Sequence, residues 1–320
     1  MNNIKLIRTA FAMVVLIMAN ACFTGVESTP KINAEKIKDN KTAITEEQSF
    51  LADVIPQKPS LWKKGKKFLV DDNRIERIFE SVQGEASDLK GMVLKFDCFK
   101  AVPSLTGDDV AEISFSKNNG GTLRYRLPIT IEQLDTIKEL EIPFTVDLDL
   151  VAHIDSVLRG KSVYIKTPNW YSLDSHKAIQ GLRHIKVIID SVVPGSSIYP
   201  AAVAFTIDPN ELAQDVFTAH SSGAVLLTVG SSRTSTRNFD TLFSFKSPRA
   251  QYPRITEDNW KHIVKSSVIS GMSRDECRLA LGSPSEIIRI PTTGGMQERW
   301  IYSDGVFLIF DDGFLSKYRL

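Results

Sequence analysis

The sequence predicts an α+β protein in which an all-β middle region precedes a small C-terminal domain of two helices and an antiparallel sheet. Between Leu61 and Pro248, short runs rich in Val, Ile, Phe, Tyr and Thr alternate with clusters of Gly, Pro, Asn and Ser, which is typical of strands joined by turns. After residue 250, two capped helical segments are followed by strands whose apolar and polar residues alternate. These two patterns decide the fold class.

Length and composition exclude several classes of protein. The chain has 320 residues, of which 42% are hydrophobic and 24% charged, and its mean hydropathy is −0.09. This average composition excludes a disordered, collagen-like, coiled-coil or polytopic membrane protein. The 39 basic and 38 acidic residues leave a formal net charge of +1, so the chain has no overall field that would attract nucleic acid. We therefore expect no nucleic-acid partner.

Residues 1–21 have the features of a secretory signal peptide. Basic residues Lys5 and Arg8 precede an apolar run that is too short to span a bilayer. Cys22 follows directly, as in bacterial lipoproteins, whose cysteine is lipidated and becomes the mature N-terminus. Ala19-Asn20-Ala21 also fits an ordinary signal peptidase, which would leave Cys22 unmodified. We expect an exported protein that lipidated Cys22 anchors to the outer membrane, facing the periplasm.

A polar tether is predicted after the signal peptide. Residues 23–60 contain too little apolar surface to form a core, although Thr45–Val54 can form a short helix with Thr45 as its cap. The resulting organisation is a signal peptide (1–21), a lipidated tether (22–60), two β-rich modules (61–150 and 151–250) and a C-terminal domain (251–320).

The middle region is predicted to be built from short strands. Helical periodicity is limited to Ile131–Leu140 and Asn210–Phe217. Cys98 and Cys277 fall in different predicted domains, so we expect free thiols rather than a disulfide bond. The predicted strands are Lys66–Val70, Met92–Phe96, Glu112–Ser116, Leu123–Leu127, Phe144–Leu150, Ser162–Thr167, Ile185–Ile189, Ala202–Ile207, Val225–Val229 and Leu242–Phe245.

The two β-rich modules share a weak internal repeat. Offsets that drift slowly along the chain indicate two copies with small loop deletions, whereas the alternative is that any two β-rich segments look alike. We predict two small modules, each a barrel or a sandwich. The corresponding segments are Gly65–Val70 with Gly160–Ile165, Asp97 with Asp190, and Ile113–Phe115 with Val203–Phe205, at offsets of 95, 93 and 90.

The C-terminal segment carries the most specific local pattern. Thr256 can cap a first amphipathic helix, and Ser273 with Glu276 forms a capping box for a second. Gly282 and Pro284 then end the second helix. One face of the following sheet is predicted to cover both helices. The predicted strands are Glu286–Ile290, Glu298–Tyr302, Val306–Phe310 and Phe314–Tyr318.

This C-terminal pattern resembles the SmpA/OmlA (BamE-like) outer-membrane lipoprotein domain over residues 255–320. The resemblance implies a lipid-anchored N-terminus, two helices packed on a three-stranded sheet, and no enzymatic activity. The best-known member is an accessory of the outer-membrane β-barrel assembly machinery that contacts other subunits and anionic lipid. A non-catalytic envelope protein that binds other envelope proteins, in outer-membrane assembly or maintenance, is therefore expected. The matching residues are Gly271-Met272-Ser273, Glu276, Leu281-Gly282, Pro284, Trp300, Tyr302, Leu308, Phe310, Gly313 and Leu315.

No catalytic or metal-binding motif is present. There is no nucleophile elbow, phosphate-binding glycine loop or dinucleotide fingerprint, and the histidines lack the spacing of metal ligands. We expect no cofactor, no metal and no enzyme, although a hydrolase site assembled from distant residues would leave no such motif. Asp147 and Asp149 alternate along one predicted strand and could bind a cation, or they are simply solvated.

Aromatic and basic residues in predicted loops are the candidate partner-binding residues. Trp170 and Tyr171 could anchor a protein or stack on a sugar ring, or they close the end of a β core. Arg233 and Arg237 lie in or beside the Ser/Thr-rich segment Gly230–Thr236 and could bind an acidic partner, or they belong to a solvated loop. The second functional hypothesis is a carbohydrate- or peptidoglycan-binding lipoprotein. The sequence does not indicate an oligomeric state.

Overall fold

The folded body runs from Thr45 to Leu320 and is mostly β-structure with some helix, as predicted. The computed structural model of the chain describes residues 44–81, 88–104, 107–118, 120–210, 220–229, 237–292, 295–303 and 305–320. Within them the strands form three antiparallel sheets, of six, seven and four strands. No helix in this described part is long and apolar enough to cross a membrane.

The first two sheets occupy the middle of the chain. The first contains β1 (Lys67–Val70), β2 (Glu80–Ser81), β3 (Val93–Pro103), β4 (Asp109–Lys117), β5 (Thr122–Arg126) and β6 (Thr145–Asp147). The second contains β7 (Ser162–Ile165), β8 (Asn169–Tyr171), β9 (Ala178–Gln180), β10 (Ile185–Pro194), β11 (Ala201–Ile207), β12 (Ser222–Leu227) and β13 (Phe243–Ser244).

The third sheet and the helices complete the body. The sheet contains β14 (Glu286–Thr292), β15 (Gly295–Ile301), β16 (Phe307–Asp311) and β17 (Phe314–Arg319). The helices are α1 (Glu46–Ser49), α2 (Ile131–Leu134), α3 (Leu148–Leu158), α4 (Phe239–Leu242), α5 (Pro248–Gln251), α6 (Glu257–Val264) and α7 (Arg274–Leu281), with 3₁₀ turns at Pro59–Leu61 and Asn73–Arg77.

The first two sheets are copies of one topology. Their strand orders are β2-β5-β4-β3-β1-β6 and β9-β8-β12-β11-β10-β7-β13. The second order reproduces the first, with β9 added at one edge, when each strand of the second sheet is matched to one of the first. The strands that correspond to β1, β2, β3, β4, β5 and β6 are β7, β8, β10, β11, β12 and β13, in that order. We call residues 67–147 the first repeat and residues 148–244 the second repeat. Each module was predicted to be a barrel or a sandwich. Among the described residues, each repeat forms a single sheet whose two edge strands are not paired with each other.

The registers of the two repeats also agree, which confirms the weak sequence correspondence. Asp97 is the extra residue of a β-bulge between β3 and β4, and Asp190 is the extra residue between β10 and β11. The N–H of Gly65 donates to the Phe96 carbonyl at 2.7 Å, and the N–H of Gly160 donates to the Ile189 carbonyl at the same distance. Equivalent bulges and turn hydrogen bonds at the predicted offsets support a duplication.

The second repeat begins with a helix that the sequence analysis missed. The predicted strand Phe144–Leu150 ends at Asp147, whose carboxylate accepts hydrogen bonds from the N–H groups of Asp149 and Leu150 and so caps α3. Leu150, Ile154 and Leu158 lie on one buried face of α3 that packs on the second sheet. The middle region is therefore not all-β.

Asp147 also joins α3 to Lys66, the residue that precedes β1. The Nζ atom of Lys66 lies 2.8 Å from the Asp147 carboxylate and 3.1 Å from Asp149. The Lys66 side chain is 2% exposed, so its charge depends on these two carboxylates. Asp147 and Asp149 do not share a strand face as predicted, and their carboxylates face an ammonium group.

Part of the predicted tether belongs to the folded body. Thr45 caps α1 in a capping box with Gln48, as the sequence predicts. Leu51 and Val54 then pack into the core of the second repeat with exposed fractions of 8% and 4%. The predicted boundary at residue 60 is therefore too late, because these apolar side chains are covered by strands distant in the sequence.

The C-terminal helices and strands form where the sequence predicts them. Thr256 caps α6, and Ser273 with Glu276 forms the capping box of α7. Trp260, Ile263, Cys277, Trp300 and Phe310 form the core between these helices and the third sheet. The sheet has four strands, one more than the resemblance implies. Cys98 and Cys277 are both free thiols.

We predict that Asp147→Ala lowers the free energy of unfolding by about 3 kcal/mol, because it removes a helix cap and the main partner of a buried ammonium group. Asp149→Ala is the matched control. Its carboxylate is 60% exposed, so we expect a loss of about 1 kcal/mol or less. Urea denaturation measures both, and equal losses would contradict this assignment of roles.

Candidate functional site

Trp170 is a core residue and not an exposed loop aromatic. It lies in β8 with an exposed fraction of 0%, and its indole N–H donates to the Thr167 carbonyl. Its ring packs edge-on against the Phe205 ring, with 4.9 Å between the ring centroids. A Cβ atom built on Gly181 would lie 2.0 Å from the indole, so a glycine is needed there. The prediction of Trp170 as a docking aromatic is wrong, and the alternative, an aromatic that closes a β core, is correct.

Tyr171 and Arg237, two other predicted site residues, lie together in the structure. The Arg237 guanidinium donates to the Tyr171 hydroxyl at 3.4 Å. The same guanidinium lies 5.7 Å from the centroid of the Tyr171 ring and 5.1 Å from the centroid of the Tyr199 ring, which is cation–π geometry. Arg233 and Cys22, the remaining predicted site residues, lie outside the described residues, as does nearly all of the predicted helix Asn210–Phe217.

A polar cleft of about 470 Å³ lies between the second repeat and α7, and we call it the junction cleft. Its basic lining residues are Lys166, Arg183 and Arg237, and no acidic residue is among the described residues that line it. Ser266 also lines it, and the Ser266 hydroxyl is buried without a hydrogen-bond partner in the described part of the chain. The cleft therefore concentrates positive charge at the junction of two structural units.

Arg183 and Lys166 are basic residues of the cleft that the sequence did not predict, and Arg183 is the more deeply held of the two by backbone contacts. Its guanidinium donates to the carbonyl of Lys166 at 3.0 Å and to the carbonyl of Ala280. Burial lowers the pKa of Arg183 to about 10, so it remains charged at neutral pH. A lone arginine in a turn carries no motif, and no local pattern of the sequence could have found it.

His184 holds α7 from the same turn. Its Nε2 atom lies 2.9 Å from the Leu279 carbonyl, and because a carbonyl only accepts, this nitrogen is the donor. Arg183 and His184 thus satisfy two carbonyl groups in the last turn of α7, where the helix has no backbone donors left. The Nδ1 atom of His184 is buried without a partner among the described residues.

His184 occupies the position at which the first repeat has a glycine. Gly91 occupies the equivalent position of the first repeat with φ +81°, and its N–H donates to the Val70 carbonyl. His184 has φ +58° and donates in the same way to the Ile165 carbonyl. A left-handed conformation costs a non-glycine residue about 1–2 kcal/mol, so the second repeat retains strain at the junction.

A second candidate surface lies on the third sheet. Ile287 pairs with buried Trp300 on the helix-covered face, whereas Ile288 pairs with exposed Arg299 on the opposite face. We call this opposite side the outer face. Its apolar residues belong to none of the described core clusters, and exposed basic residues lie on the same face together with the exposed acidic residues Glu286 and Asp311. The apolar residues are Ile288, Ile290, Ile301, Phe307 and Ile309, and the basic residues are Arg299, Lys317 and Arg319.

A further cleft, of about 410 Å³, is lined by residue types that hydrolases use, including Asp174, Asp190 and His220. Asp190 is the bulge residue of the second repeat, and its carboxylate accepts a hydrogen bond from Thr206 on the paired strand at 2.7 Å. In the described part of the chain, no group of three or more His, Cys, Asp or Glu residues is placed to hold a metal ion. We assign no reaction to this cleft.

No protein-family model, curated protein or solved structure matches this chain. The resemblance of residues 255–320 to the BamE-like domain therefore depends on the sequence pattern alone.

We predict that the stability of the protein falls as pH decreases from 6.5 to 4 because of His184. Burial, together with the charge of Arg183, lowers the pKa of His184 to about 4. A histidine in the unfolded chain has a pKa near 6.5. Between pH 6.5 and 4 the unfolded chain therefore binds a proton that the folded chain does not. This difference lowers the free energy of unfolding by roughly 3 kcal/mol.

His184→Asn tests this prediction, because asparagine tolerates a positive φ and does not titrate in this range. Between these pH values, the free energy of unfolding of the variant is expected to fall by about 3 kcal/mol less than that of the parent. His153→Asn, at an exposed position on α3, is the matched control and should follow the parent. Identical pH profiles for His184→Asn and the parent would contradict the prediction.

Proposed function

We propose that the protein is a non-catalytic, lipid-anchored cell-envelope protein that binds other envelope proteins. Two features of the sequence support export and anchoring: the signal-like segment 1–21 and the cysteine that follows it. The finer part of the proposal is that residues 255–320 are a BamE-like domain that serves outer-membrane assembly or maintenance. The capped helices α6 and α7 support it, whereas the four-stranded sheet departs from the three-stranded layout of that family.

The outer face of the third sheet is the observation that carries protein binding. Ile288 and Ile290 are 36% and 42% exposed on β14, an edge strand that pairs only with β15 among the described strands. An exposed edge with apolar residues can accept a further strand, since its outward N–H and carbonyl groups are free to pair.

Carbohydrate binding has no specific observation in its favour. A sugar-binding platform requires aromatic rings that are exposed for stacking. Trp170 is buried in the second repeat, and the Tyr171 ring already contacts the Arg237 guanidinium.

A photo-crosslinking amino acid at position 288 tests the partner proposal in intact cells. We expect discrete protein adducts from position 288 and none of the same mass from position 198, where Ile198 is 73% exposed on a turn of the second repeat. The double variant Ile288→Lys/Ile290→Lys should lose these partners in co-purification and keep its melting temperature, because both side chains are exposed. Ile198→Lys is the matched control. Absence of adducts at position 288, or the same adducts at both positions, would overturn the proposal.

Substitution of the cysteine after the signal peptide tests the anchor separately. We predict that Cys22→Ser moves the mature protein from the membrane fraction to the soluble fraction and abolishes fatty-acid labelling, because the acyl chains supply the membrane affinity. Cys98→Ser is the control and should remain membrane-bound and labelled. An unlabelled parent protein would reject lipidation without affecting the partner proposal.

A further inference from the structure

Two cations of the junction cleft, Arg183 and Lys166, form no ion pair with another described residue. Among the described residues, the hydrogen-bond acceptors of Arg183 and Lys166 are backbone carbonyls, and the Lys166 ammonium group lies 2.6 Å from the Asp240 carbonyl. Partly buried cations without a carboxylate partner are costly, and a bound anion removes that cost.

The donors in the cleft are held in place before any ligand binds. Two backbone carbonyls orient the Arg183 guanidinium, and its other N–H groups have no acceptor among the described residues. The Lys166 ammonium group has three donors, and only one of them has an acceptor in the described part. Fixed donors of this kind bind an oxyanion without a large loss of side-chain entropy.

Ser266 supplies an independent observation. Its buried hydroxyl has no hydrogen-bond partner in the part of the chain that the structure describes, although it lines the same cleft. Ser266 also has φ +56°, a conformation that is strained for a residue other than glycine. An unsatisfied hydroxyl that lines the same cleft as two cations is a donor that an oxyanion could use.

We propose that the junction cleft is a binding site for an oxyanion, either a phosphate or a carboxylate group, with Arg183, Lys166 and Ser266 as its donors. The volume of about 470 Å³ accommodates a small molecule that carries such a group. The site lies away from the outer face of the third sheet, so this inference does not depend on the proposed partner surface.

The first test is titration of the purified mature protein with inorganic phosphate and with succinate, by calorimetry and thermal unfolding. We expect saturable binding and a raised melting temperature with at least one of the two anions, and the two arms distinguish phosphate from carboxylate. Sodium chloride at equal ionic strength controls for charge screening. No binding of either anion, or equal stabilisation by chloride, would overturn the proposal.

The second test places a carboxylate inside the cleft. Asn169 lines it, so Asn169→Asp should supply an internal partner for the cations, raise the melting temperature and weaken anion binding by about tenfold or more. Asn118→Asp, on an exposed turn of the first repeat, is the matched control and should bind like the parent.

Lys166→Gln should weaken binding in the same way. We choose Lys166 rather than Arg183 for this variant, because removal of the Arg183 side chain would also remove a hydrogen bond to the end of α7. Unchanged anion binding in both Asn169→Asp and Lys166→Gln would place the anion elsewhere and reject this site.

Discussion

The last turn of α7 has carbonyl groups that the helix itself cannot satisfy, and their partners come from the second repeat. Arg183 and His184 are adjacent residues of one turn, and they donate to the carbonyls of Ala280 and Leu279. Because both donors precede β10, the placement of the C-terminal helices follows from the placement of that strand. The same turn leaves guanidinium donors facing the junction cleft. The junction and its candidate binding site therefore have a common physical origin.

The duplication makes the specialised features of the second repeat visible. Both copies keep the bulge, the turn before the first strand and the order of the strands, because these set the register of the sheet. The copies differ at the junction, where Gly91 of the first repeat is replaced by His184. His184 has a positive φ, which is strained for a residue other than glycine, and its ring bonds the end of α7, a contact that a glycine could not make. The second repeat thus depends on a contact that the first repeat does not make.

Local signals predicted local structure well. The cap at Thr256 and the capping box of Ser273 with Glu276 form as expected, because each requires only residues within one helical turn. Helix α3 was missed because Asp147 ends a strand and caps a helix at once, and the apolar spacing of Leu150, Ile154 and Leu158 was the overlooked signal. Residues 45–60 were assigned to the tether because a few apolar side chains form no core until strands far away in the sequence cover them.

Some features can be recognised from the amino-acid sequence alone, because residues that are close together in the chain specify them. These features are the helix ends, the turns, the internal correspondence of the two repeats and the signal-like N-terminal segment. Only the tertiary structure shows that Trp170 is buried and that the Tyr171 hydroxyl accepts a hydrogen bond from Arg237. It also brought Lys166, Arg183 and Ser266 to one cleft, although a long stretch of chain separates Arg183 from Ser266. Burial and charge clustering depend on contacts between distant residues, and periodic patterns of polarity do not encode such contacts.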